Sequence, residues 1–373
     1  MTMYLQTKIK MATVLAFAFF ACAFFVPKGL MQTQTPSAGA PTPTPSVVTA
    51  GQHFKNIKVL NDMPADQLGK VMNMFSASLG VNCTFCHVAG DKDFDKDDKK
   101  EKESAREMIK MTFEINKAHF NGRSEVSCNT CHSGHEHPQS AINLSPAAVV
   151  ERPKQPDVKP TVDQIVDKYV VAIGGKDKLA KVKSAYVKAN RIEKDGKTSE
   201  AEEIWFKAGK SLLTTQYPQH LITEGFDGTA AWKRADKNEI VLRSDEAEQI
   251  KRAAQLFANP DLRSIYPKME FRFVDRIDGH DAYLVTATTS DNLRERLYFD
   301  VATGLLVRRI SSAPTIFGPF SYQVDYSDFK DFGGMKLPTT IRSSVPNISW
   351  SRKLTEVNTN VTIDDAKFTA PKN

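Results

Sequence analysis

Apolar positions recur at two different periods along this 373-residue chain, and the change from one to the other divides it. Between residues 62 and 118 the period is helical. Asp62, Met63 and Pro64 open a helix, with Pro64 suited to a first helical position. Leu68, Val71, Met72, Phe75 and Leu79 then follow at three- and four-residue steps until Gly80 stops the run. A second helix is expected from about Lys99 to Ala118, with Ala105, Met108, Met111, Thr112 and Ile115 on its inner side. From Ser184 onward β-branched and aromatic residues alternate with polar ones. Turn signals at Asp195-Gly196, Asp227-Gly228, Asp278-Gly279, Thr303-Gly304 and Gly333-Gly334 separate the strands. Short helices are expected at Thr161–Ala172 and Asp177–Val182, and one helical interruption near Asp245–Phe257. This second pattern predicts an antiparallel sheet that curls into a barrel or half-barrel around one or two helices.

Composition changes the picture at the N-terminus and at two linkers. Residues 1–30 read as a signal peptide or N-terminal anchor. Lys8 and Lys10 precede the charge-free run Met11–Val26, which is shorter than the ~20 residues of a membrane span and suits an export signal. Cys22 lies inside that run, and the apolar Phe24, Phe25 and Val26 beyond it disfavour lipidation there. Residues 31–50 form a Pro/Thr/Ser-rich linker and residues 138–160 a Pro-rich one. They leave two domains, 51–137 and 161–373. The chain is 41% hydrophobic and 25% charged, ordinary values for a globular core. Its formal charge of +6 is spread over interleaved acids and bases, which excludes the one-signed face of a nucleic-acid binder. The charge-dense stretch Asp91–Glu103 reads as solvated surface.

The cysteines carry the chemistry. Cys83-Thr84-Phe85-Cys86-His87 and Cys128-Asn129-Thr130-Cys131-His132 are two C-x-x-C-H motifs. Two thiols at this spacing can form thioethers with one haem, and the histidine that follows lies under the ring and binds its iron. Zinc held by Cys83, Cys86, Cys128 and Cys131 is the competing reading, but it leaves His87 and His132 without a role. With 8 histidines in the chain, chance sets one behind both pairs on the order of once in two thousand sequences. Two covalently bound c-type haems, with Cys83, Cys86, Cys128 and Cys131 as attachment points and His87 and His132 as proximal iron ligands, are therefore expected. Met72 is the candidate distal ligand of the first haem, since it lies on the apolar stripe shortly before Cys83. Met74 is about 200° around the helix and points elsewhere. For the second haem Met108 and Met111 are candidates, one turn apart, with His119, His135 and His137 as rivals. No catalytic residue is assigned.

Residues 55–137 resemble the photosynthetic reaction centre cytochrome c subunit family in a short dihaem form. The matching stretches are MNMFSASLGVNCTFCH at 72–87, AREMIKMTFEIN at 105–116 and VSCNTCH at 126–132. The resemblance implies a helix-borne methionine as distal ligand, which favours Met72, and electron transfer as the activity. Residues 161–373 resemble more loosely the half-barrels of bacterial outer-membrane lipoprotein carriers, through EGFDGTAAWK at 224–233, LYFDVATGLLVRR at 297–309 and YSDFKDFGGMKLPTTI at 326–341. That implies either a lipid or other apolar ligand in the concave face or a purely structural or docking role.

The expected fold class is thus α+β multidomain: a small α-helical dihaem c-type cytochrome domain followed by an antiparallel β half-barrel with a few helices. The expected function is electron transfer between periplasmic or membrane-bound redox partners, a reaction centre or a respiratory complex, on the periplasmic or outer face of the cytoplasmic membrane. The alternatives are a dihaem peroxidase-like enzyme, which needs one five-coordinate iron, and a carrier or sensor acting through the half-barrel.

Overall fold

The computed structural model describes residues 48–88, 93–139, 153–258, 261–290 and 292–370. The export segment with Cys22, nearly all of the first linker and residues 140–152 of the second lie outside the described residues. Residues Val47–Asn373 form one compact unit.

The helical part comes first in the chain. It contains α1 (Ala50–His53), α2 (Leu68–Leu79), α3 (Cys83–Cys86), α4 (Lys100–Phe120) and α5 (Cys128–His132). Pro64 caps a single 3₁₀ turn, Ala65–Gln67, that leads into α2, so the regular helix starts later than the proline suggests. Gly80 ends α2 in the left-handed conformation at φ 68°. A methyl group there would also lie 2.1 Å from the Gly134 carbonyl oxygen. Only glycine satisfies both demands.

The inner face of α4 differs from expectation. Its buried residues are Arg106, Ile109, Thr112 and Asn116, whereas Met108 and Met111 are exposed by 43% and 42%. Apolar periodicity missed this face because three of its four members are polar, each with hydrogen-bond partners. The Arg106 guanidinium binds Glu103 at 2.6 Å and Asp97 at 2.8 Å. The Asn116 amide donates to the Val126 carbonyl at 2.7 Å and accepts from the Val126 N–H at 2.9 Å. Satisfied polar groups can be buried at little cost.

Two short helices, α6 (Val162–Ala172) and α7 (Lys176–Leu179), precede the sheet. Its strands are β1 (Ser184–Glu193), β2 (Thr198–Lys207), β3 (Lys210–Gln216), β4 (Leu221–Phe226), β5 (Ala231–Ala235), β6 (Asn238–Glu239), β7 (Lys268–Ile277), β8 (His280–Thr288), β9 (Arg294–Asp300), β10 (Leu306–Thr315), β11 (Gly318–Phe332), β12 (Met335–Val345) and β13 (Ile348–Thr359). Among the described residues they make one antiparallel sheet in the order β6-β5-β4-β3-β2-β1-β13-β12-β11-β10-β9-β8-β7. Of the two expected forms, barrel and half-barrel, the closed one is absent: among the described residues β6 and β7 are the edges of the sheet. Hairpins join nearly all neighbours, as the turn signals require. At Asp278-Gly279 both residues have positive φ, 49° and 86°, the conformation that sets the twist of a two-residue hairpin.

The chain passes from edge strand β6 to edge strand β7 through α8 (Ser244–Ala258). That helix packs on β2, β3, β4 and β5. The main core lies on the other half of the sheet, where Ile165 of α6 and Leu262, Ile265 and Tyr266 meet Val285, Leu297 and Phe299. Among the described residues no helix is long and apolar enough to cross a membrane.

Candidate functional site

The two C-x-x-C-H motifs are built alike. In each, the cysteines lie on a single helical turn, α3 or α5, entered through an extended residue, Asn82 or Ser127. One turn of helix places residues three apart on the same side, so each cysteine pair faces one way. All four thiols are free. Cys83 and Cys131 are exposed, while Cys86 and Cys128 are partly covered. Burial pushes the Cys128 thiol up to about 11, and it also raises Cys86, where nearby Glu101 adds to the effect. Among the described residues no three His, Cys, Asp or Glu side chains converge on a metal position, so the pairs do not meet as a four-cysteine cluster.

The histidines repeat the symmetry. His87 Nδ1 lies 2.9 Å from the Phe94 carbonyl oxygen, and His132 Nδ1 lies 3.0 Å from that of His135. A carbonyl can only accept, so each ring carries its proton on Nδ1 and leaves the Nε2 lone pair free. This is the arrangement of a metal-binding histidine oriented by a backbone acceptor. Burial moves the His87 pKa below its usual value. The Phe94 carbonyl opposes that shift, while Lys102, Arg106 and Lys99 reinforce it. A neutral ring is the ligating form. The thiols, their helical turns and both histidine tautomers fit a covalently attached haem at each motif.

The segment expected to be mere solvated surface takes part in this. Asp97 receives Lys58 at 2.7 Å, Arg106 at 2.8 Å and Lys102 at 3.2 Å, and these bonds hold its carboxyl far below the normal range. Lys102 also donates to the Phe94 carbonyl at 2.9 Å, the same oxygen that orients His87. The loop's charges thus position a candidate ligand. A cluster of alternating Lys and Asp gave no sign of it, because solvated charge runs look the same.

The motifs are joined through α2. Gly134, two residues beyond His132, donates its N–H to the Ser78 carbonyl at 2.8 Å. On α2, Met72 and Met74 both pack at the edge of the helical core. Met74 is further committed, since its sulfur accepts from the Thr315 hydroxyl at 3.6 Å. Met108 and Met111 stand exposed on α4. His119, His135 and His137 are also exposed, with His137 only loosely paired to Glu136 at 3.5 Å.

The sheet reaches into this region at two hairpin tips. Ile316-Phe317, between β10 and β11, brings Phe317 against Phe75 and Phe113, each at a ring-centroid distance of 5.0 Å. Asn347, between β12 and β13, donates to the Ser76 hydroxyl at 2.9 Å. Lys70 of α2 meets Asp245 of α8 at 2.8 Å, and Asp245 also accepts from the Tyr322 hydroxyl.

A second feature lies in the sheet half. A cavity of about 670 Å³ opens between α8 and the facing strands, lined by Ile204, Phe206, Leu213, Ile222, Ile250 and Ile341 among others. Sequence reasoning found no residue of it individually, since each reads as an ordinary core position.

The geometry of the helical part is compatible with that of haem-binding C-x-x-C-H proteins, and comparison with known proteins narrows the field. Residues 26–168 match the family model of the photosynthetic reaction centre cytochrome C subunit. The photosynthetic reaction center cytochrome c subunit of Roseobacter denitrificans is 36% identical over 103 residues, covering 25% of this chain. The match spans 28% of that relative's own length. The family resemblance drawn from the motifs therefore holds for the helical part. Among solved structures, a LolA superfamily protein from Nitrosomonas europaea is similar at a TM-score of 0.39 and 14% identity, over 57% of this chain and 99% of that one. An outer membrane lipoprotein-sorting protein domain from Vibrio parahaemolyticus gives 0.38 and 9%, over 55% and 94%. Likeness at that level says nothing about a ligand.

Proposed function

We propose that this chain is an exported dihaem c-type cytochrome that relays electrons between partner proteins at the periplasmic face of a membrane, with residues 51–137 as the haem domain and 161–373 as a separate sheet domain. The observation that carries the reading is the paired motif with each histidine turned, through Nδ1, to offer Nε2. Cys83 and Cys86 tether one haem and Cys128 and Cys131 the other, and His87 and His132 are the proximal ligands. A haem so held supplies an iron that alternates between two oxidation states. The chain's own contribution is to fix that iron's ligands and keep substrate away from it.

Met72 is the distal ligand proposed for the first haem, because Met74 is already engaged by Thr315. For the second, Met108 and Met111 supply exposed thioethers on α4. With His87 and His132 and these methionines holding the iron, the haems would supply outer-sphere electron transfer instead of peroxidase chemistry. The partners are a membrane-bound redox complex, by analogy with the matched relative, and the proteins that exchange electrons with it.

Purified chain matured in an exporting host should keep two haems after denaturation and acid–solvent extraction. The double variant Cys83→Ser, Cys86→Ser should keep one. Zinc in place of haem would end this reading. Met72→His should lower the potential of one haem, and Met74→Leu should leave both unchanged; a potential indifferent to Met72 would remove it as ligand.

A second reading is supported by the cavity in the sheet domain. Its volume falls in the range of small-molecule pockets, about 300–1,000 Å³, and its walls are mostly apolar. We propose that it holds an apolar ligand, so that the chain joins an electron relay to a carrier or sensor.

A further inference from the structure

The two motif histidines differ in what else bonds to their acceptors. His132 Nδ1 lies 3.0 Å from the carbonyl of His135, an exposed residue, and among the described residues no lysine or arginine donates to that oxygen. His87 Nδ1 lies 2.9 Å from the Phe94 carbonyl, and the same oxygen also receives the Lys102 ammonium at 2.9 Å. Lys102 stands in the first turn of α4. An ammonium has three N–H donors, and the Phe94–Asp97 loop takes all of them: the Phe94 carbonyl, the Lys96 carbonyl at 2.7 Å and the Asp97 carboxylate at 3.2 Å. The side chain is 12% exposed, so a long lysine has given up its rotamer freedom to make these bonds. Asp97 offsets part of its charge but divides itself among Lys58, Arg106 and Lys102. Closer to the thiols, Lys99 and Glu101 act on Cys86 in opposite senses. The distinguishing feature of the first motif is therefore the cation on the oxygen that orients its histidine.

We propose that Lys102 is a positioning residue that raises the reduction potential of the haem held at the first motif and leaves that of the second untouched. This rests on the dihaem reading above and adds the residue that tunes one haem apart from the other. An acceptor on Nδ1–H feeds electron density through the imidazole and makes Nε2 a stronger donor. Two donors on one carbonyl oxygen compete, so Phe94 accepts more weakly from His87 than His135 does from His132. The His87 ring is then the poorer electron donor, which favours the ferrous over the ferric form. The ammonium itself acts in the same sense, because the ferric form carries one more positive charge. Hydrogen bonding behind an axial ligand is one of the levers by which a protein sets a haem potential. Within the relay, Lys102 biases the shared electron toward the first motif.

The test is spectroelectrochemistry on the full-length protein, with hydrogen exchange of the loop amides as a second readout. Lys102→Met should shift the oxidation equilibrium of one haem toward the ferric form by about tenfold, about 59 mV for one electron, and leave the other haem alone. Lys102→Arg, which keeps a cation in reach of the Phe94 carbonyl, should hold the original value. Lys102→Gln, which keeps a donor without the charge, serves as a second variant and should give a smaller drop. In the Cys83→Ser, Cys86→Ser background, where only the second haem is attached, Lys102→Met should change nothing. The loop is expected to stay in place without Lys102, because Asn56 donates to the Asp95 carbonyl and to Asp97, and Lys58 and Arg106 remain on Asp97. Its amide exchange should therefore be unaltered. An unchanged potential, an equal shift at both haems, or a drop accompanied by faster exchange in the loop overturns the assignment to Lys102 and leaves the dihaem reading standing. Protein that matures without covalent haem overturns both.

Discussion

The two halves of the molecule solve the problem of burying a core in opposite ways. The sheet half is self-sufficient: its principal cluster draws nine buried residues from α6, the turn after α8 and strands β8 to β10. The helical half is not. Its cluster has six buried residues, Ala50, Leu60, Met63, Val71, Ile109 and Phe317, and the last comes from the sheet's hairpin. A segment that small falls short of the core an independent domain needs, and such segments are stabilised by covalent groups or by docking. The helical half uses docking, and under the proposed function it uses haem as well. One half is thus a scaffold, and the other is docked on it and, under the proposed function, completed by its cofactor.

That contrast can be broken most directly by separating the halves. A fragment of residues 153–370 is expected to fold alone, with a β-dominated circular dichroism spectrum and a cooperative thermal transition. Residues 48–139 without haem are expected to stay largely unfolded. Cooperative unfolding of the isolated helical fragment would show that its core is adequate and that the comparison is mistaken.

Phe317→Ala is the next largest lever. Removing a buried aromatic ring costs about 3–5 kcal/mol, and here the loss should fall on one side. Hydrogen exchange should accelerate in α2 and α4 and remain unchanged in β8 and β9. Uniform acceleration would mean that the halves unfold as one unit.

The smallest expected effect concerns pH. Burial raises the Asp245 pKa, but Lys70 and Tyr322 outweigh it and leave the carboxyl below its ordinary 3.8. A depressed carboxylate stabilises the fold above its unfolded value. That contribution is present at neutral pH and is lost as pH falls below 3.8 through the folded value. Asp245→Asn should therefore cost about 1–3 kcal/mol at pH 7 and nothing further in acid. Thermal melts of both proteins from pH 7 to pH 3 read this directly, and a constant gap between them would remove the Lys70 contact from the account.

Local structure was the legible part. The end of α2 at Gly80, the Asp278-Gly279 hairpin and α8 each follow from signals a few residues long. The two C-x-x-C-H motifs were legible for the same reason, since each is a run of five adjacent residues. What escaped was everything set by distant partners. Arg106 and Asn116 occupy a buried face because Asp97 and Val126 satisfy them, and no periodicity encodes that. Phe317 reads as an apolar residue beside a turn glycine, and its burial among Phe75 and Phe113 depends on a contact across most of the chain. The pairing of β1 with β13, which joins the two meandering halves of the sheet, has the same long-range character.

The position of Phe317 also fixes an order of events during synthesis. Both attachment motifs leave the ribosome, and under the proposed export cross the membrane, well before residue 317 exists to complete their core. Domains made N-terminal first normally close in that order, but here the first segment must wait for the last third of the chain. During that interval Cys86 and Cys128, partly covered in the finished protein, are as reachable as Cys83 and Cys131. Under the proposed function, attachment at Cys86 and Cys128 would meet less cover in that interval than in the finished protein.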